Sequence, residues 1–138
     1  MTYLKAAIEP ATEGDVPVMY GLAQDEIGRG FAPEHALEVL DSCEVFVARI
    51  EDVSCGYVAV DASADAAVVR QLFVGPAAQN ASIGNQLLDW VEGLAISRGL
   101  TRVEVESGPD NERAERVYRR RGYTRVDQAL LVRELPGA

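Results

Sequence analysis

The segment from Val69 to Gly99 constrains the fold more than any other, because its hydrophobic period changes once along its length. Val68, Val69, Leu72, Phe73 and Val74 form an apolar, β-branched run of strand character, and Gly75-Pro76 breaks it. From Ile83 onward the apolar residues fall at helical spacing. Ile83, Leu87, Val91, Leu94 and Ala95 make a stripe that Leu88 and Ile96 widen. Arg98-Gly99 ends this helix, with a cation for the C-terminal dipole and a glycine for a left-handed cap. Between strand and helix lies a turn of small and polar residues, Gln79-Asn80-Ala81-Ser82-Ile83-Gly84. A helix opening from such a loop presents unpaired backbone N–H groups and roughly half a positive charge, a setting that suits an anion such as phosphate. The same stretch also reads as a plain strand–turn–helix connection, and the turn alone does not choose between the two.

At 138 residues the chain is sized for one domain, taken as residues 1–138. Its formal net charge of −9 disfavours nucleic acid and anionic membrane as partners and favours a cationic substrate such as an amine. An acidic surface that serves solubility alone gives the same number. No apolar run is long enough to span a bilayer. Met1-Thr2-Tyr3-Leu4-Lys5 lacks a basic segment leading into an apolar one, so the expected location is cytoplasmic. The two cysteines, Cys43 and Cys55, fit no zinc spacing, so no metal is expected and both are read as buried thiols.

Taken in order, Lys5 to Pro10 reads as a first strand. Thr12 and Asp15 make a helix start, and Val16, Met19, Tyr20 and Ala23 supply the apolar face. Gly28-Arg29-Gly30 is a break, and Pro33 opens a second helix that ends near Ser42. Glu44 to Glu51 alternates, with Val45, Val47 and Arg49 against Phe46, Ala48 and Ile50. Glu51 to Ser54 turns a hairpin without the usual Asn-Gly, and Gly56 to Asp61 returns. The long strand, the polar turn and the third helix follow. Arg102 to Ser107 is a strand with Val103 and Val105 on one face and Glu104 and Glu106 on the other. A helix spans Asn111 to Arg121 and stops at Gly122. Tyr123 to Val126 and Ala129 to Glu134 are the last strands. The order is β-α-α-β-β-β-α-β-α-β-β, an α/β chain with a single mixed sheet and helices on both faces.

Three features together resemble one family. Val74-Gly75-Pro76 followed by Gln79-x-x-Ser82-x-Gly84 is similar to the acetyl-CoA pyrophosphate loop of GNAT-superfamily N-acetyltransferases, with Ser82 where a glycine is usual. The element order matches that family. So does the run Asn111, Ala114, Tyr118, Gly122 and Tyr123, at the spacing of its closing motif. The residues themselves leave Tyr118 two roles, a core aromatic or a phenol offered to a ligand. Six arginines crowd this region: Arg113, Arg116, Arg119, Arg120, Arg121 and Arg125. They read either as a solvated face paired with Glu112 and Glu115 or as a phosphate-binding patch.

The resemblance implies a GNAT fold and transfer of an acetyl group from acetyl-CoA to an amine acceptor, a small molecule or a protein N-terminus or lysine. It implies a pantetheine arm on the backbone of Leu72, Phe73 and Val74, and a pyrophosphate on Asn80, Ala81, Ser82, Ile83 and Gly84 beside Gln79. Asn111 would contact the pantetheine or an ordered water, and Arg120 the 3′-phosphate. Tyr118 would be the general acid. Glu106 matches a glutamate that some ribosomal-protein N-terminal acetyltransferases use as base, and Glu104 is the weaker candidate. Ser82 is expected to keep a negative φ and offer its hydroxyl to a phosphate. Asp25, Glu26, Arg29, Phe31 and His35 would rim the acceptor site. A non-catalytic acyl-CoA-binding or regulatory domain of the same fold is the alternative, and edge strands leave room for a homodimer.

Overall fold

The computed structural model describes residues 5–22, 41–62, 65–75, 82–107 and 112–136. Its elements are β1 (Ala7–Pro10), α1 (Val16–Leu22) after a 3₁₀ turn at Glu13–Asp15, β2 (Glu44–Ile50), β3 (Val53–Asp61), β4 (Ala66–Val74), α2 (Ile83–Ser97), β5 (Arg102–Glu106), α3 (Glu112–Arg120), β6 (Thr124–Asp127) and β7 (Leu130–Glu134). The seven strands form one sheet in the order β1-β2-β3-β4-β5-β7-β6. Each neighbouring pair is antiparallel except β4 and β5, which are parallel, as a strand–helix–strand crossover through α2 requires. The mixed α/β architecture expected from the sequence is therefore present. The second expected helix lies outside the described residues, apart from its end at Asp41 and Ser42.

Alternation along β2 sends its side chains into two separate cores. Phe46 and Ala48 join the layer under α2 and α3, with Val58, Val60, Val69, Val103, Val105, Leu131 and the α2 stripe. Val45 and Val47 join Met19 of α1, Tyr57 and Ala59 on the other face. Ile83, Leu87, Leu88, Val91 and Ala95 are buried on α2, each worth about 2 kcal/mol or less of apolar burial. Ile96, expected in that stripe, is 52% exposed, because the last turn of α2 carries it off the buried face. Gly99 takes the left-handed conformation expected of the helix cap (φ 71°), and Arg98 pairs with Glu44. Neither cysteine is fully buried as expected: both are free thiols of intermediate exposure.

Two local features shape the middle of the sheet. Between Ala59↔Gln71 and Val60↔Val69 the β3–β4 register shifts by one residue, which makes Arg70 the extra residue of a β-bulge. Further along, a Cβ on Gly56 would stand 2.8 Å from the Phe73 carbonyl oxygen, so only glycine lets β3 lie this close to β4. The Gly75 N–H donates to the Cys55 carbonyl at 2.8 Å. The end of β4 is thus held against β3. Its pairing with β5 stops at Val69↔Val105, although β4 runs on to Val74.

Candidate functional site

Past Val69, β4 has no described backbone partner on its β5 side, and of the expected site residues Leu72, Phe73, Val74 and Glu106 lie along or beside this free stretch. Glu106 ends β5, one residue past the last pair. Val103 and Val105 point into the core under α2 and α3, so Glu104 and Glu106 lie on the α1 face, as alternation predicts. Glu104 accepts a hydrogen bond from Arg102 Nε at 2.7 Å. Glu106 Oε2 accepts one from Arg70 Nη1, also at 2.7 Å, and Arg70 Nη2 reaches Asp61 Oδ2 at 3.3 Å. Leu72 and Val74 pack against the α2 side of the sheet and Phe73 against the α1 side, where its ring lies 5.5 Å from Tyr57. Tyr57 donates its hydroxyl proton to Gln71 Oε1 at 2.8 Å.

Tyr118 stands on the opposite face from Glu106. Its ring is buried with Val105 and Leu131 and lies 5.9 Å from the ring of Tyr123. No described residue hydrogen-bonds its hydroxyl, and since no fully buried side-chain oxygen among the described residues lacks a partner, that oxygen is not sealed from solvent. Burial pushes the phenol well above its ordinary range, so it stays protonated at any physiological pH. The core-aromatic role read from the sequence is present, and the phenol keeps its proton.

The N-terminus of α2 has the form of an anion cradle. The first intrahelical bond runs from the Gln86 N–H to the Ser82 carbonyl at 3.0 Å, so the N–H groups of Ile83, Gly84 and Asn85 precede the ladder. Ser82 is left-handed, with φ 62° and ψ 27°, which corrects the expected negative φ. At this position the backbone has the form that a glycine would adopt freely, and serine bears the strain. Its hydroxyl makes no cap bond to the helix. A Cβ on Gly84 would meet nothing nearer than Val74 Cγ2 at 3.8 Å, and its φ is not left-handed. Nothing within the described chain demands glycine there. These residues fit a pyrophosphate. Gln79, Asn80, Ala81 and Asn111, and the acceptor-rim residues Asp25, Glu26, Arg29, Phe31 and His35, lie outside the described residues.

The arginines divide by partner. Arg121 pairs with Asp89 and with buried Glu92, which also accepts from Arg133 and the Tyr123 hydroxyl. Arg119 and Arg125 both hold Glu115, and the hydrogen bond from Arg125 keeps that carboxyl below the usual range. Arg125 also donates to the Ser107 carbonyl at 2.9 Å and braces the end of β5. Arg120 is exposed on α3 and, like Arg113 and Arg116, has no ion-pair partner among the described residues. Sequence reasoning missed Arg70 and Asp61. The signal was the polar doublet Arg70-Gln71 inside a β-branched run. An alternating strand does not put two polar residues together, and a bulge does. Among the described residues no group of three or more His, Cys, Asp or Glu side chains could hold a metal ion, and no helix is long and apolar enough to cross a membrane.

Known proteins share this fold. The model of the acetyltransferase (GNAT) family matches residues 16–123. An IAA acetyltransferase from Azospirillum brasilense is 32% identical over 71 residues, which take in 51% of this chain and 46% of that relative. The chain thus matches about half the length of that curated relative. The crystal structure of Ard1 from Thermoplasma volcanium superimposes with a TM-score of 0.84 over 96% of this chain and 99% of that one, at 16% identity. A GNAT family acetyltransferase from Elizabethkingia anophelis, solved with acetyl-CoA bound, gives 0.79 over 95% and 99%, at 20% identity. With a family model covering most of its length and the same fold in both structures, this chain belongs to the GNAT family of acetyltransferases.

Proposed function

We propose that the protein transfers an acetyl group from acetyl-CoA to a primary amine of a small molecule or a protein, by direct attack in a ternary complex. The observation that carries this reading is the parting of β4 from β5 beside the open amides of α2, with Tyr118 on one face and Glu106 on the other. Acetyl-CoA supplies the acyl group as a thioester. The backbone of Leu72 to Val74 takes the pantetheine arm along the gap. Ser82, Ile83 and Gly84, with Gln79, Asn80 and Ala81, hold the pyrophosphate on amides and the helix dipole. Asn111 contacts the arm, and Arg120 the 3′-phosphate. Glu106 takes the proton that the amine sheds as its C–N bond forms. Tyr118 gives its proton to the sulfur as the C–S bond breaks. Most of the acceleration comes from holding amine and thioester together.

The test is the melting temperature with acetyl-CoA, free CoA and dephospho-CoA. At 100 times the dissociation constant the expected stabilisation is about 2.7 kcal/mol, or roughly 8 °C for a chain of this size. A smaller shift with dephospho-CoA assigns the 3′-phosphate to the exposed arginines. No shift at millimolar acetyl-CoA overturns the reading. One observation favours the alternative, a non-catalytic acyl-CoA-binding domain: Glu106 is already engaged by Arg70. A cofactor shift with no thiol released in the presence of amines would decide for it.

A further inference from the structure

Arg70 owes its position to the bulge. Val69 packs into the core under α2, while Gln71 meets Tyr57 on the α1 face. Strict alternation would have put Gln71 under α2. The extra residue instead places Arg70 and Gln71 on the α1 face together, and Arg70 beside Asp61 of β3 and Glu106 of β5. One guanidinium thereby joins three strands at the row where backbone pairing of β4 with β5 has just ended. The three side chains are between 31% and 43% exposed. Ion pairs this open contribute about 1 kcal/mol or less, so fold stability is a poor account of the arrangement. A glutamate at a strand end has several rotamers, and fixing one needs a partner. Arg70 occupies Oε2 of Glu106, and no described residue donates to Oε1.

We propose that Arg70 is a positioning residue for acyl transfer. It holds the Glu106 carboxylate at the mouth of the gap with Oε1 turned to the amine, and Asp61 fixes the guanidinium from behind. This rests on the acetyltransferase reading. The proton leaving the amine nitrogen goes to Oε1 as the C–N bond forms, the C–S bond breaks, and the thiolate takes the Tyr118 proton. Arg70 exchanges no proton and acts only through Glu106.

The experiment is a double-mutant cycle on the full chain: Arg70→Met, Glu106→Gln and both together, with Arg70→Lys and Arg70→Gln as further variants. Thiol release from acetyl-CoA is followed with the twenty amino acids, cadaverine and hexapeptides beginning with alanine, serine or methionine. Arg70→Met should lower kcat about 10- to 100-fold, with the acetyl-CoA melting shift unchanged and the acceptor KM within about threefold. Arg70→Lys should recover to within about fivefold of wild type, since it restores a cation without the fork. In the Glu106→Gln background, Arg70→Met should change kcat by less than about twofold, because a residue that acts through another has nothing left to act on. Losses that multiply independently, or Arg70→Met and Arg70→Gln at wild-type kcat, overturn the inference and leave the enzyme reading intact. Wild type that binds acetyl-CoA and releases thiol with none of these amines overturns the enzyme reading, and the inference with it.

Discussion

Ser82 shows how a departure from a family pattern is settled by geometry. At φ 62° it adopts the conformation in which glycine is unstrained, and it does so at the opening of α2. Ser82→Gly is expected to stabilise the protein by about 1 kcal/mol in urea unfolding, while Ser82→Ala gives no such gain, because only the loss of Cβ relieves the strain. Tyr118→Phe removes the proton and keeps the ring in its core contacts. It should lower kcat about a hundredfold while leaving the acetyl-CoA melting shift intact, and an unchanged kcat would assign Tyr118 to packing alone. Helical spacing put Tyr118 on the face of Ala114, and both are at least partly buried, while its role as acid came only from the family resemblance. The sequence did not reveal the φ of Ser82, since a serine carries no local sign of being forced left-handed. It did not reveal the Arg70–Glu106 pair either. That contact joins residues 36 apart, and the register of two strands decides it.

Within the described residues, strands and helices came out of the sequence within a few positions, because two periods, 2 and 3.6, report burial directly. The largest discrepancy is β3. It begins at Val53, where Gly56 was the expected start, because the two-residue turn Glu51-Asp52 fixes Ile50 opposite Val53. Both turn residues are left-handed, at φ 51° and 68°, as a type I′ hairpin needs. Replacing Glu51 and Asp52 by Asn and Gly is expected to raise stability by about 1–2 kcal/mol at unchanged activity, read from denaturant midpoints. Glu92 is the opposite kind of element contact. It gathers Arg121, Arg133 and Tyr123 from around α3 and from β7 onto α2, and no local pattern announces it. Glu92→Leu should destabilise by about 3 kcal/mol in the same assay, because Arg133 and the Tyr123 hydroxyl lose their carboxylate acceptor and Arg121 loses one of its two. Were the loss under about 0.5 kcal/mol, water would be serving those groups as well as the carboxylate does.

For the molecule as a whole, burial raises the phenols of Tyr57, Tyr118 and Tyr123 above their ordinary value of 10. The unfolded chain releases these protons near pH 10 and the native chain retains them. Their contribution to stability is therefore complete below pH 10 and declines as pH rises beyond it, toward the native values. The melting temperature should hold to about pH 9.5 and then fall steeply, with tyrosinate absorbance at 295 nm rising together with unfolding rather than ahead of it. The sheet has a further consequence. Strands β1 to β4 are one antiparallel ribbon and β5, β7 and β6 are another, and the backbone joins them along four parallel pairs, Ala66↔Arg102 to Val69↔Val105. Such a molecule resembles two boards glued along part of one edge. A long molecule bedded in the unglued part would act as a clasp and couple the opening of the two boards. In hydrogen exchange, acetyl-CoA should then slow the amides of β2 and β7, several strands apart and far from any phosphate, by one common factor.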